Sequence, residues 1–264
     1  TTHAILPRKF TDFFPGSEIS VVANEKPIIS DIGMSLQSME KQLAREEYLR
    51  RRFELHEGSI LNIDSCTLGR VIMKTSHRHQ IYTKIIHKEL NTMVVNERWG
   101  MGSNIYPVCT KEVEDWFHVL VCRNPDMIRI RDGVLCDLSI DFERLKTYPP
   151  LAKYIITYLE NLHQKRSPDQ PPTVEQKYHS KFQQAYVNQC SIGWDNFLRG
   201  IISMQWRFLQ HKYFLEIKNR DMYAVDKWAR MLVKSLLEMN RRMWIERCAI
   251  LHADARPGVE YHRC

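Results

Sequence analysis

The sequence predicts an all-α fold, an irregular multi-helix array with one small turn-rich motif. Apolar residues recur at steps of three and four in most segments, as they do on one face of a helix. No segment alternates polar and apolar residues between turn signals, as a half-buried strand does. A hydrophobic content of 44% over 264 residues is enough for a buried core, so wholesale disorder is not expected.

Four regions are predicted along the chain. Residues 1–35 lack a clean period, and because Thr1 is not Met we expect the chain to begin inside a longer reading frame. Residues 36–164 form a helical region. Residues 165–172, KRSPDQPP, carry three prolines that disfavour helix and suit an exposed linker. Residues 173–264 form a second helical region, which gives two helical halves.

In the first half, helices are predicted where the apolar spacing and the capping residues agree. Residues 36–53 keep near-helical spacing through Leu36, Met39, Leu43, Leu49 and Phe53. Asp64 is the predicted N-cap of the next helix, and another start near Ser76 leads on to Val94. Glycine and proline at positions 100, 102 and 107 then break the pattern, and residues 106–122 read as a turn followed by a short helix.

Further helices are predicted on both sides of the linker. Pro149 and Pro150 precede an amphipathic helix that reaches Leu162. Beyond the linker, residues 173–190 and 206–217 have helical spacing. The strongest pattern is a stripe of Trp, Met and aliphatic residues over 221–252. The chain has no run of eighteen apolar residues and no signal-peptide pattern, which predicts an intracellular protein without a membrane partner.

A net charge of +7 and a pI near 9.0 favour RNA or DNA as partners, although the same excess is ordinary for solubility. Two clusters supply the candidate nucleic-acid-binding residues, and Tyr82 and Trp99 are candidates to stack on bases. The alternative is that these residues form solvated helix faces. The candidates are Arg50, Arg51, Arg52, Lys74, His77, Arg78, His79, Lys84 and Lys88.

The most informative local pattern is Tyr106-Pro-Val-Cys109, followed by His118 and Cys122. A structural zinc site needs about four tetrahedral nitrogen or sulfur ligands, usually two from a tight turn and two from the following helix. Cys109, His118 and Cys122 fill three of these positions, and Tyr106 stands in the fourth. The pattern predicts a degenerate zinc knuckle, with Zn²⁺ as a candidate cofactor. The alternative is that the three are small buried side chains on one face of a turn and helix.

The knuckle resembles the zinc-binding-like motif that follows the reverse transcriptase and ribonuclease H regions in retroelement polyproteins of unicellular algae. Glu114-Asp115 matches the acidic pair of that motif. The best downstream match is residues 189–203, QCSIGWDNFLRGIIS, against Q-x-x-I-G-W-x-x-F-L-x-G-x-[IL]-S. Residues 244–252 resemble the closing W-x-x-R-N-x-x-L-H, with Cys248 in the place of asparagine. The resemblance covers residues 63–252.

The resemblance implies a C-terminal accessory part of such a polyprotein, whose partners are nucleic acid and the upstream parts of the same polyprotein. The sequence contains no Asp-Asp pair for a polymerase centre, and no P-loop, G-x-S-x-G or H-E-x-x-H pattern. We therefore expect a non-catalytic protein with no catalytic residue. Two functions are favoured: nucleic-acid binding, or a structural and protein-interaction module without it. A nuclease whose scattered carboxylates assemble only in the fold shows no local motif and is ranked last. For residues 192–203 a plain core role is favoured, with Trp194, Phe197 and Leu198 locking two helices together.

Overall fold

The computed structural model describes residues 22–23, 26–27, 40, 44, 46–53, 55, 58–100, 102–164, 179–219, 221 and 223–252. The chain divides into two compact units, 1–49 and 50–264. In the first unit, β1 (Val22–Ala23) pairs antiparallel with β2 (Lys26–Pro27). The helix predicted over 36–53 is helical at its described positions 40, 44 and 46–52.

The second unit is built from helices, which confirms the all-α prediction. Short 3-10 turns lie at Ser59–Asn62, Ser76–Arg78 and Asn161–Gln164. In chain order the helices are α1 (Ser65–Lys74), α2 (His79–Ile86), α3 (Met93–Arg98), α4 (Trp116–Val121), α5 (Pro125–Arg144), α6 (Pro149–Glu160), α7 (His179–Ile192), α8 (Trp194–Leu198), α9 (Met204–Glu216) and α10 (Ala224–His252). No helix within the described ranges is both long and apolar enough to cross a membrane.

Capping side chains explain where several helices begin. Asp64 caps α1 as predicted, because its carboxylate accepts a hydrogen bond from the Thr67 amide at 3.1 Å. Asn124 caps α5 in the same way, with Pro125 at the first helical position. The helix predicted from Ser76 to Val94 is instead two helices, α2 and α3. Lys88 lies between them at φ +56°, in the left-handed region, and cannot continue a right-handed helix.

The predicted linker, 165–172, lies outside the described residues. The helices on either side of it nevertheless share one core, because α10 packs on α1, α2, α4 and α5 as well as on α8 and α9. Its Trp- and Met-rich stripe is buried, with Trp228, Leu232 and Met243 fully enclosed. Gly200 lets the end of α8 approach closely, since a Cβ there would lie 3.2 Å from the Leu237 side chain.

Candidate metal centre and basic groove

A tight hairpin positions the first candidate ligand. Ile105 pairs with Val113 in an antiparallel bridge, and the Tyr106 amide donates to the Glu112 carbonyl at 2.8 Å. This turn carries Cys109. Immediately after it, the Asp115 carboxylate accepts from the His118 amide at 2.6 Å and caps α4. His118 and Cys122 then stand four residues apart, on one face of the helix and its C-cap.

These elements bring Cys109, His118 and Cys122 together, with their ligand atoms all within 4.8 Å of one another. The Cys109 Sγ lies 3.4 Å from His118 Nε2. The other ring nitrogen of His118, Nδ1, lies 2.9 Å from the Glu112 carboxylate. Histidine ligands of metals are commonly held in this way, with the second nitrogen bonded to a carboxylate. The group could therefore hold a metal ion, and sequence reasoning did not identify the contribution of Glu112.

The Cys122 thiol of this cluster stays protonated without a cation. Cys122 is buried, and burial raises the pKa of its thiol to about 11, a rise that the amide of Asn124 opposes at 3.5 Å. Cys109 is half-buried. Because the thiolate is the form that binds metal, a cation has to displace the proton of the Cys122 thiol. The buried positions also agree with the alternative of small core residues, so the convergence of three ligand atoms is the informative feature.

Tyr106, in the fourth position, is fully buried. Its hydroxyl has no hydrogen-bond partner among the described residues. The ring packs edge-on against the His118 ring, with centroids 4.8 Å apart. Burial raises the pKa of the phenol further above its ordinary value, so the group is neutral near pH 7 and is a poor metal ligand. Cys136 lies exposed on α5 and is not part of the cluster.

The acidic pair of the knuckle has two separate structural roles. Asp115 caps α4, whereas Glu114 is fully buried and binds Arg247 of α10 through two hydrogen bonds of 2.6 and 2.8 Å. Glu114 also accepts from the amide of Met93 at 2.8 Å. The Arg247 guanidinium lies 4.6 Å from the centre of the Trp244 ring. The knuckle is therefore anchored to the last helix by a buried ion pair.

Residues 189–206, which we call the core block, include residues 192–203, for which the sequence predicted a role in the hydrophobic core. Trp194, Phe197 and Leu198 are buried. The Gln189 side chain joins the elements, because its Oε1 accepts from the Ser203 amide at 2.9 Å and from Trp206 Nε1 at 3.1 Å. Its Nε2 donates to the carbonyls of residues 193 and 201, at 3.0 and 3.3 Å. The amide thus uses its bonding capacity within the protein.

The predicted nucleic-acid-binding residues are distributed over different surfaces. Arg50, Arg51, His77, His79 and Lys84 are exposed. Arg52 is paired with Glu89, and Lys88 lies 2.8 Å from Asp195; both line a cavity of about 410 Å³ beside Trp116.

The two proposed stacking residues differ in their accessibility. The prediction that Tyr82 stacks on bases is wrong, because Tyr82 is fully buried and its hydroxyl donates to Glu238 at 3.1 Å. Trp99 is 76% exposed, so its stacking role stays a prediction.

Lys74 and Arg78 line a larger groove of about 800 Å³ between α1, α5 and α10, which we call the basic groove. Its other cations come from α5 and α10 and from an earlier turn of α1. Sequence reasoning did not group them, since they lie far apart in the chain. The cations are Arg70, Lys74, Arg78, Arg144, Lys227, Arg230, Lys234 and Arg242, and the acids are Asp137, Asp141 and Glu238.

No protein-family model matches this chain, and comparisons with curated proteins and with solved structures find no significant match. The resemblance to retroelement polyproteins therefore rests on the motif residues in the sequence. What the site does has to be argued from its own geometry and charge.

Proposed function

We propose that the chain is a non-catalytic, nucleic-acid-binding part from the C-terminal end of a retroelement polyprotein. The observation that carries nucleic-acid binding is the basic groove, where eight cationic side chains face three acidic ones. Asp221 and Asp226, beside the groove, pair with two of these cations, so eight cations and five acids leave an excess of three positive charges. A concave surface of one sign attracts a polyanion, and neutralising phosphates releases condensed counterions, which favours binding.

The relation to a polyprotein rests on the motif resemblance, and segments that carry this resemblance contact one another. Glu114 of the knuckle binds Arg247 of the closing motif. The Asp64 amide, at the start of the resemblance, donates to the Ile202 carbonyl of the core block at 2.9 Å. These resembling segments, far apart in sequence, thus belong to one packed unit.

The proposal is tested by fluorescence anisotropy of the full chain with labelled DNA and RNA, each as a 24-nucleotide single strand and as a duplex. We expect binding at about 50 mM salt that weakens by at least tenfold at about 200 mM, because several phosphate contacts are involved. A labelled neutral dextran of similar size serves as the control for changes in anisotropy that do not come from binding. Absence of salt-dependent binding to any of the four probes would rule the function out.

For the cofactor, we propose Zn²⁺ held by Cys109, His118 and Cys122, with Glu112 fixing the ring of His118. The ion would supply a structural link between the hairpin and α4, since its ligands come from both. Tyr106 provides no thiolate, so this zinc binds weakly. Native mass spectrometry after dialysis against zinc-free buffer tests this, with His118→Asn as the control variant. Tight stoichiometric zinc in the unmodified chain would contradict the assignment of Tyr106.

One observation favours a second function, a protein-interaction module that contacts upstream parts of the polyprotein. Phe208 and Leu215 of α9 are 50% and 64% exposed, and their spacing of seven residues places them on one helix face. Exposed apolar side chains grouped on one face are typical of protein interfaces. Light scattering of the chain with and without the upstream segment tests this module, and Phe208→Lys should abolish any complex. A monomer that binds no upstream segment would argue against it.

A further inference from the structure

We propose that the basic groove binds the phosphate backbone of a nucleic-acid duplex, and that Lys74, Arg230 and Lys234 make the principal contacts. This inference rests on the proposed function and names its site and its substrate class. The basic residues predicted from the sequence lie on different surfaces, whereas the fold brings the cations of the groove together. The charge of the groove, its dimensions and its lining each support this assignment.

Five of the eight groove cations already have acidic partners. Arg78 lies 2.9 Å from Glu238, and the pairs Arg70–Asp226, Arg144–Asp141, Lys227–Asp221 and Arg242–Asp137 lie at 3.3, 2.6, 2.7 and 2.7 Å. Lys74, Arg230 and Lys234 make no ion pair with any residue that the structure describes. Their charge is therefore available to a ligand without loss of an existing contact.

One of the three groove acids, Glu238, does not repel a polyanion strongly. Glu238 is surrounded by Arg78, Arg241 and Arg242, with shortest distances of 2.9, 2.6 and 3.3 Å. Burial would raise its pKa, but the hydrogen bond and charge of Arg241 and the charge of Arg78 outweigh burial and lower the pKa to about 2. The carboxylate stays ionised, and three guanidinium groups compensate its charge.

The spacing of the cations suits a regular array of phosphates. Lys227, Arg230, Lys234 and Arg242 follow one face of α10, because their intervals of three, four and eight residues keep helical phase. From Lys227 to Arg242 the helix rises about 22 Å, over which one strand of a duplex presents roughly six phosphates. Lys74 stands at the C-terminal end of α1, which packs against α10. Arginine adds bidentate contact to phosphate oxygens.

The lining of the groove favours a duplex over a single strand. Non-specific single-strand binding relies on aromatic side chains on which bases stack. None of the residues that line the groove in the described part of the chain is aromatic. Contacts there are restricted to phosphates and sugars, which position a duplex without reading its sequence.

The lining also argues against an acidic amphipathic helix as the occupant. Such a helix needs accessible apolar contacts for its own apolar face. The apolar floor of the groove is closed, with Val71, Val134, Leu138 and Met231 only 5%, 5%, 2% and 9% exposed. Ile140, at 57% exposed, is a single side chain and cannot replace a stripe of anchors. The buried side chains of the floor therefore form no continuous stripe of apolar anchors, and beside Ile140 only the half-buried Leu145 adds apolar contact among the lining residues that the structure describes.

The test compares two triple variants of the full chain with a labelled 24-base-pair duplex. Lys74→Gln, Arg230→Gln and Lys234→Gln together remove the available groove cations. Arg98→Gln, Lys111→Gln and Lys212→Gln remove the same charge from exposed positions that do not line the groove. We expect the groove variant to bind at least tenfold more weakly than the control, and its salt slope to fall by about three. Thermal unfolding monitors folding, and the single variant Arg230→Gln should lower the slope by about one.

Each of the other outcomes would overturn the function, the assignment to the groove or the choice of a duplex. If the wild-type chain binds no nucleic acid at low salt, the proposed function fails. If it binds and the two triple variants lose affinity equally, only the assignment to the groove fails. A single strand that binds more tightly than the duplex would overturn the choice of substrate, as would a poly-glutamate peptide that displaces the duplex at equal charge concentration.

Discussion

The core block and the knuckle lie in the same unit, yet they treat their buried polar groups differently. In the core block, Gln189 bonds four backbone and side-chain groups, and Asn240 of α10 donates to the Leu198 carbonyl at 2.8 Å. In the knuckle, the Tyr106 hydroxyl has no partner among the described residues, and three ligand atoms converge without a fourth thiolate. The core block is therefore joined to its neighbours by buried amide hydrogen bonds, whereas the knuckle is held by its buried ion pair and brings together ligand atoms that could hold a cation.

The largest expected change in ligand affinity is that for zinc, in the knuckle alone. Tyr106→Cys restores a Cys-Cys-His-Cys set. Full structural sites are worth about 10–16 kcal/mol of apparent free energy, so one regained thiolate should raise zinc affinity by roughly a hundredfold or more. Competition with a chromophoric chelator measures this. Adding Cys109→Ser should abolish the gain; an equal affinity in wild type and Tyr106→Cys would refute our account of the fourth position.

The Glu114–Arg247 pair tests how the knuckle is held. Arg247→Met leaves the buried Glu114 carboxylate without its partner, and we expect a loss of about 3–5 kcal/mol in the free energy of unfolding. Urea denaturation measures it. The double variant Glu114→Gln, Arg247→Met should recover part of the loss, because no uncompensated charge remains. A loss below about 1 kcal/mol would mean that the pair does not anchor the knuckle.

The core block should be more sensitive to loss of the Gln189 amide than the knuckle is to loss of the Cys109 thiol. Gln189→Leu leaves several buried donors and acceptors unpaired, which should cost about 3 kcal/mol in unfolding free energy. Cys109→Ala removes a half-buried thiol and should cost about 1 kcal/mol. Denaturant unfolding of both variants compares the regions directly. Equal losses would contradict the contrast drawn between them.

Tyr106 and Tyr154, whose hydroxyls have no hydrogen-bond partner among the described residues, give a smaller, opposite effect. Tyr106→Phe removes a buried hydroxyl that has no hydrogen bond in the described structure, and should stabilise the metal-free chain by about 1 kcal/mol. Tyr154→Phe, near the core block, is the matched variant because its hydroxyl also lacks a partner there. Calorimetry measures both. If Tyr106→Phe destabilises while Tyr154→Phe stabilises, the Tyr106 hydroxyl has a contact that our account omits.

The smallest expected effect is that of removing metal from the wild-type chain. Apolar side chains around the knuckle, including Phe117, Val119 and Leu120, are buried and hold the turn and α4 without an ion. Excess chelator should therefore shift the midpoint of thermal unfolding by less than about 2 °C. In Tyr106→Cys loaded with zinc, the same treatment should lower it clearly. Unfolding of the wild-type chain by chelator would make the knuckle metal-dependent after all.

The features that depend on contacts between neighbouring residues could be predicted from the sequence alone. Helical spacing predicted the all-α class, and the short side chain of Asp64 predicted the start of α1. Cys109, His118 and Cys122 could be grouped because turn and helix geometry place residues at such short separations together. The core role of residues 192–203 followed from glycines that interrupt an apolar, aromatic run. In each case the determining interaction acts within about one or two helical turns.

The features that depend on contacts between residues far apart in the sequence could be identified only from the tertiary structure. The 20-residue helix α5 was not predicted, since Arg131 interrupts its apolar face and is accepted there only because it donates to the Leu120 carbonyl at 2.8 Å. The end of α2 at a left-handed Lys88 carries no glycine signal. The pairing of Glu114 with Arg247 and the gathering of cations from α1, α5 and α10 join residues far apart in sequence. No local pattern encodes such contacts, because packing of the whole core fixes which helix faces meet.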